Sequence, residues 1–279
     1  MAKAGWTIWR RAVALAALGG VVALGPNLAQ AREGVEVGGN SAFSKLVSAD
    51  DVEASAADEY AKLLAEARGK GTLVSAGNAQ VKRLRAISQR LIPIAPEWND
   101  RARSWKWEVN LLDSKEINAF CMPGGKIAFY TGILENLKLS DDEVAMVMGH
   151  EMAHALREHA REQMGKSAAM GIGASLLSQW LGLGDVGQTV TRYGAQLLTL
   201  KFGREDESEA DLVGMELAAK AGFDPRSAVT LWKKMDASNS GAPPEWLSTH
   251  PSGSARIAQI EANLPRVLPL YERARKAKR

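Results

Sequence analysis

His150 and His154 stand four residues apart with Glu151 between them, in the stretch VAMVMGHEMAHAL at 144–156. On a helix this spacing puts both imidazoles on one face with Cβ atoms about 5–6 Å apart, close enough to bind a single ion. Zinc accepts imidazole nitrogens at about 2.0–2.1 Å and suits such a pair. Glu151 is rotated by about 100° from His150, so it flanks the ion without joining the ligand set. That is the station of a general base for water activated by a metal. The rest of the stretch is apolar nearly all round, as in a buried helix. Burying two imidazoles and a carboxylate without partners is costly, and a bound cation would offset the cost. In a chain with only four His, a chance His-Glu-x-x-His is expected on the order of a few times per thousand sequences.

Two His are too few for a catalytic zinc. A metzincin would need Gly and His where this chain has Arg157 and Ala160. His159 falls nearly opposite His150 on the helical wheel and reads as an exposed or capping side chain. A better third ligand lies in GREDESEADLVG at 203–214. There Glu207 and Asp211 share one helical stripe with Gly214 and Ala218, small residues that let two helices approach closely. Glu207 completes a His2Glu site whose fourth position stays open to water. Asp211, one turn on, is placed to accept the other ring proton of a ligand His. Glu205 and Glu209 point elsewhere, as a solvated face. The expectation is one zinc per chain.

The elements that must position these residues can be read around them. Helices are expected at 50–67 and 76–91, separated by Gly69 and Gly71 and closed by Pro93 and Pro96. Trp105–Leu112, Ile117–Met122 and Lys126–Thr131 read as strands. Pro123 cannot donate to a sheet ladder, so the strand before it belongs at an edge. Asn118, Ala119, Phe120, Cys121 and Met122 would then offer that edge to an extended peptide. Ser140-Asp141-Asp142-Glu143 has capping-box spacing, starting a helix expected to run to about Gln163. The Gly/Ala-rich segment 167–184 is too interrupted by polar residues for a membrane span and reads as a lid or packed insertion. Further helices are expected at 206–221, 225–235 and 254–264, and no 34-residue repeat is present.

The 279 residues are 46% hydrophobic with 10 Pro, which excludes a disordered or low-complexity chain. Residues 1–31 carry a basic start at Lys3, Arg10 and Arg11, an apolar run over 12–24, and Ala29-Gln30-Ala31. They read as a signal peptide cleaved after Ala31; an uncleaved anchor in the inner membrane is the alternative, although the run is shorter than the roughly 20 residues of a spanning helix. Those 31 residues hold three of the 35 basic residues and no acidic one. The remainder is balanced, which argues against a nucleic-acid partner. Residues 32–49 read as a linker or extended arm, 50–264 as the catalytic domain and 265–279 as a basic tail. Cys121 is the single cysteine, so no intramolecular disulfide can form.

The segment His150-Glu151-Met152-Ala153-His154, with Arg204-Glu205-Asp206-Glu207-Ser208-Glu209-Ala210-Asp211 downstream, resembles the M48 family of zinc metallopeptidases. Asn118 to Gly125 resembles that family's edge strand, and Thr249-His250-Pro251 with Arg256-Ile257 resembles its C-terminal motif. The similarity covers roughly residues 50–264 and is closest to the soluble, exported, Oma1-like branch. It implies an α+β gluzincin domain, zincin-like and mostly helical with a small sheet. It further implies zinc on His150, His154 and Glu207, and quality control of envelope proteins. It also puts His250 near the metal, either as a donor to a developing oxyanion or as a fourth ligand that keeps the enzyme latent. Arg256 and Tyr193 are weaker donor candidates, since nothing local aims them at the site. The chain departs from membrane-embedded members, which have several hydrophobic spans, and from members with a tetratricopeptide tail.

The expected function is therefore a periplasmic zinc endopeptidase that degrades misfolded or unassembled envelope proteins. Glu151 would be the base, and peripheral membrane association and oligomeric state stay open. Two rivals remain: a holdase or assembly factor with a structural zinc, and a zinc hydrolase of cell-wall peptides.

Overall fold

A computed structural model describes residues 33–169, 197, 200–238, 245–250 and 254–277. The chain divides into residues 1–33 and 34–279, and the elements below belong to the second unit. They are mostly helical, with one three-stranded sheet: α1 (Ala49–Gly69), α2 (Ala79–Leu91), β1 (Glu108–Leu112), β2 (Ala119–Met122), β3 (Lys126–Tyr130), α3 (Thr131–Asn136), α4 (Asp141–Leu156), α5 (His159–Ala169), α6 (Arg204–Lys220), α7 (Ser227–Ala237), α8 (Glu245–Thr249) and α9 (Ser254–Ala277). No helix among the described residues is long and apolar enough to cross a membrane.

The sheet order is β1-β3-β2, with β1 parallel and β2 antiparallel to β3. Leu73 bridges Leu112, and the amide of Val74 donates to the Leu111 carbonyl at 3.0 Å, which covers the outer side of β1. Among the described residues no strand pairs with the outer side of β2, so β2 is the open edge expected from Pro123. The turn between β2 and β3 uses Gly124 and Gly125 at φ +81° and +78°, a region closed to most side chains.

Helix α4 is the axis of the core. Every residue from Glu143 to Leu156 is buried, as its apolar circumference requires. It packs on α6 at a contact of bare backbone: a Cβ on Gly149 would stand 2.6 Å from the Gly214 carbonyl oxygen, and one on Gly214 2.5 Å from the His150 amide nitrogen. The stripe of small residues on α6 thus sets how close the two helices come.

The start of α4 is held by the expected capping box: the Glu143 amide donates to Ser140 Oγ at 3.3 Å, and the Ser140 amide donates to Glu143 Oε2 at 2.8 Å. Glu143 also accepts from Thr230 Oγ1 at 3.0 Å and Lys234 Nζ at 2.7 Å on α7. Burial pushes its carboxyl up, but Lys234 and the donors from Ser140 and Thr230 outweigh that and hold it below its usual range. A depressed carboxylate contributes stability above its unfolded pKa of about 4.3 and loses it as pH falls through the folded value. Glu143→Gln is therefore expected to cost about 1–3 kcal/mol at pH 7, in urea unfolding, with the gap from the wild type closing on acidification below about pH 4.

Three boundaries differ from the sequence reading. The helix expected to reach Gln163 breaks after Leu156, where Glu158 adopts φ +60° and α5 restarts at His159. The helix expected to stop at Leu264 continues through Pro265 and Pro269 to Ala277, with Val267 and Leu270 buried in the core. The arm before α1 is packed: Val35 is buried and its amide donates to Glu216 Oε2 of α6 at 2.8 Å, and a 3-10 turn occupies Ala42–Leu46. The signal-peptide stretch 1–31, Tyr193, Pro251 and the segment 167–184 from residue 170 onward lie outside the described residues.

Candidate metal centre

Helix α4 presents His150 and His154 on one face, α6 presents Glu207 across the Gly149–Gly214 contact, and His250 follows α8 with its amide bonded to the Trp246 carbonyl at 2.9 Å. All four side chains are buried. His150 Nε2 lies 3.1 Å from His154 Nε2 and 3.3 Å from His250 Nδ1. Glu207 Oε1 lies 2.9 Å from His250 Nδ1 and 3.4 Å from His154 Nε2, and Glu207 Oε2 lies 3.6 Å from His150 Nε2.

These separations test whether a metal fits. Four ligand atoms at zinc distance from one centre stand about 3.3 Å apart along each tetrahedral edge. One atom from each of the four residues lies within 4.8 Å of the others, and the closest pairs match that edge. Three nitrogens and a carboxylate oxygen converging in an apolar interior form a donor set suited to a borderline-soft divalent cation.

The electrostatics differ between the two imidazoles. Burial holds the His154 imidazole well below its ordinary pKa despite Glu207, favouring the neutral ring that a metal ligand must be. For His250 burial acts downward, but Glu151 and Glu207 outweigh it and raise the pKa. Glu207 is held far below the carboxylate range by His154 and His250, against burial.

Asp211 lies behind the cluster. Its Oδ1 lies 3.0 Å from His150 Nδ1, the ring nitrogen facing away from the cluster. Arg256 donates to Asp211 through Nε at 2.7 Å and Nη2 at 2.8 Å, and its Nη1 is 2.6 Å from Glu207 Oε2. Burial raises the Asp211 carboxyl, and Arg256 with His150 brings it below its usual range. Arg256 thus clamps two carboxylates behind the ligands.

Glu151 is buried beside the cluster, and its Oε1 accepts from the Trp246 indole N–H at 2.7 Å. It opens onto a cleft lined by Asn118 to Pro123 and by His154 and His250. The edge-strand residues Asn118, Ala119, Phe120, Cys121 and Met122 all line it. Cys121 is a buried thiol whose pKa is raised by burial and by Glu151.

Two expectations fail. His159 is neither exposed nor a cap: it is 1% exposed, with Nδ1 2.9 Å from His154 Nδ1 and Nε2 3.1 Å from Glu209 Oε2. Glu209 accordingly faces inward to His159 and Arg157 and is not part of a solvated face, whereas Glu205 is exposed. Both errors follow from extending α4 through the left-handed turn at Glu158. Trp246 had no signal of its own, since it sits on a five-residue helix held by its contacts.

Compared with known proteins, the chain matches Peptidase family M48 over residues 78–264. It is 42% identical over 150 residues to the mitochondrial metalloendopeptidase OMA1 of Arabidopsis thaliana, covering 54% of this chain and 30% of that protein. Identity to the mitochondrial metalloendopeptidase OMA1 of Homo sapiens is 31% over 186 residues, covering 60% and 34%. The beta-barrel assembly-enhancing protease of Escherichia coli strain K12 is 31% identical over 172 residues, covering 57% and 35%. The match thus spans only about a third of the length of each of these relatives.

Proposed function

Since the chain belongs to peptidase family M48, we propose that it is a zinc-dependent endopeptidase of the bacterial cell envelope acting on unfolded or unassembled proteins. One observation carries this reading: three imidazoles and a carboxylate bring ligand atoms within 4.8 Å of one another next to a second carboxylate that faces a cleft lined by an edge strand. Zinc held there supplies Lewis acidity, polarising a carbonyl and making water nucleophilic near neutral pH. Glu151 takes the proton from the water and passes it to the leaving amine. The Trp246 indole holds its Oε1, which leaves Oε2 to carry that proton. Substrate adds as a strand along Asn118 to Met122, so main-chain hydrogen bonding selects extended segments over folded ones. The envelope location is supported by the name of the Escherichia coli relative and by the basic-then-apolar N-terminal stretch.

The test is purified protein that contains about one zinc per chain and cleaves casein, with cleavage lost on chelation and restored by zinc. Stoichiometric zinc with binding but no cleavage of any unfolded protein would favour the holdase reading. Comparing envelope proteomes with and without the active protein would identify substrates.

The spacing of His250 to Glu207 and His150 favours the fourth-ligand role over the oxyanion role. In that position it competes with water and holds the enzyme latent. His250→Ala is expected to raise casein cleavage severalfold; a fall of about a hundredfold or more would make it an oxyanion donor instead.

A further inference from the structure

Behind His154 a buried line of polar contacts runs away from the ligand cluster. His159 Nδ1 is 2.9 Å from His154 Nδ1, and His159 Nε2 is 3.1 Å from Glu209 Oε2. The other oxygen of Glu209 is 2.6 Å from Nη2 of Arg157, which also donates to the Gly38 carbonyl at 2.5 Å. The line therefore connects a ligand imidazole to the arm before α1.

A neutral imidazole carries one N–H and one lone pair. Nε2 of His154 faces His150 and Glu207, and to hold a metal it must present its lone pair there. Its proton then sits on Nδ1 and is donated to Nδ1 of His159. That nitrogen must accept, so the proton of His159 is on Nε2 and is donated to Glu209. With both rings neutral, only this direction turns the His154 lone pair toward the metal position and places a proton between His159 and Glu209. Reversed, the lone pair of His159 Nε2 would face the lone pairs of the Glu209 carboxylate, and an N–H of His154 would point into the metal position.

We propose that His159 and Glu209 are positioning residues that fix the tautomer and ring angle of His154, and so set the affinity for zinc. Asp211 faces the corresponding nitrogen of His150. The two ligand imidazoles would then be oriented by different chemistry: one by a carboxylate clamped by Arg256, the other by a histidine backed by a carboxylate. The proposal rests on the metal reading above and deepens it.

The test uses full-length protein and reads zinc dissociation constants by competition with a chromophoric chelator. His159→Phe removes the acceptor and is expected to weaken zinc by about 10–100-fold, the usual effect of losing a group that orients a ligand. His159→Asn can place a carbonyl oxygen near the former Nδ1 and is expected to stay within about threefold of the wild type. Glu209→Ala, at a partly exposed side chain, is expected to fall between the two and serves if His159→Phe does not fold. Long-range proton–nitrogen spectra of the zinc-loaded wild type, labelled at histidine, are expected to show His154 protonated on Nδ1 and His159 on Nε2. Unchanged affinity in His159→Phe, equal loss in His159→Phe and His159→Asn, or the opposite tautomers would each overturn the proposal. A wild type that binds no zinc overturns the metal reading as well, whereas a wild type that binds zinc and variants that bind it equally overturn only the role of His159 and Glu209.

Discussion

Glu151→Gln is expected to lower peptide cleavage by about a thousandfold or more, toward the upper end of what a general base contributes, with zinc content and fold unchanged. The substitution keeps the shape of the side chain, and the amide carbonyl can still accept the Trp246 indole N–H that now binds Oε1. What disappears is the capacity to take a proton. Removal of the side chain by Ala would be a poorer test, because it would leave that buried indole N–H without a partner. Turnover on casein, zinc content by elemental analysis and the unfolding midpoint, measured on one preparation, separate the cases. Undiminished turnover in zinc-loaded Glu151→Gln would sink the mechanism.

Glu207→Ala should have the second large effect, on both metal and stability. The carboxylate is fully buried, it faces His154 and His250, and it pairs with Arg256. Its loss removes one ligand and leaves cationic groups in the interior short of a counter-charge, a change that costs about 3–5 kcal/mol in buried pairs. Zinc that binds only the folded chain also stabilises it by mass action. The wild type is therefore expected to melt at a lower temperature after chelation. Glu207→Ala should melt lower still and respond little to chelator or added zinc. Full zinc occupancy in Glu207→Ala after dialysis would exclude Glu207 as a ligand.

The parts of the site that were legible in the sequence are those that repeat with helical period. His150 and His154 are one helical turn apart with Glu151 next to the first, and Glu207, Asp211 and Gly214 form a stripe on the helix they meet. Local physics sufficed there, as it did for the capping box at Ser140 and the strands around Pro123. His159 was misread because its position depends on one residue, Glu158, taking a backbone conformation that its side chain does not favour. Trp246 and Arg256 reach the site through chain path alone, and no spacing relates them to Glu151 or Asp211. The continuation of α9 past two prolines is likewise a tertiary outcome: the lost backbone bonds are offset by burying Val267 and Leu270.

The backbone contact between Gly149 and Gly214 bears on how such chains can diverge. With no side chain between them, α4 and α6 have a separation fixed where they touch, independent of the chain that joins them. Glu207 therefore keeps its register opposite His150 and His154 only while both contact positions stay glycine. Related chains should keep glycine at both positions, and a single methyl group added at Gly214, only 2.5 Å from the His150 amide nitrogen, should push the helices apart and weaken zinc binding.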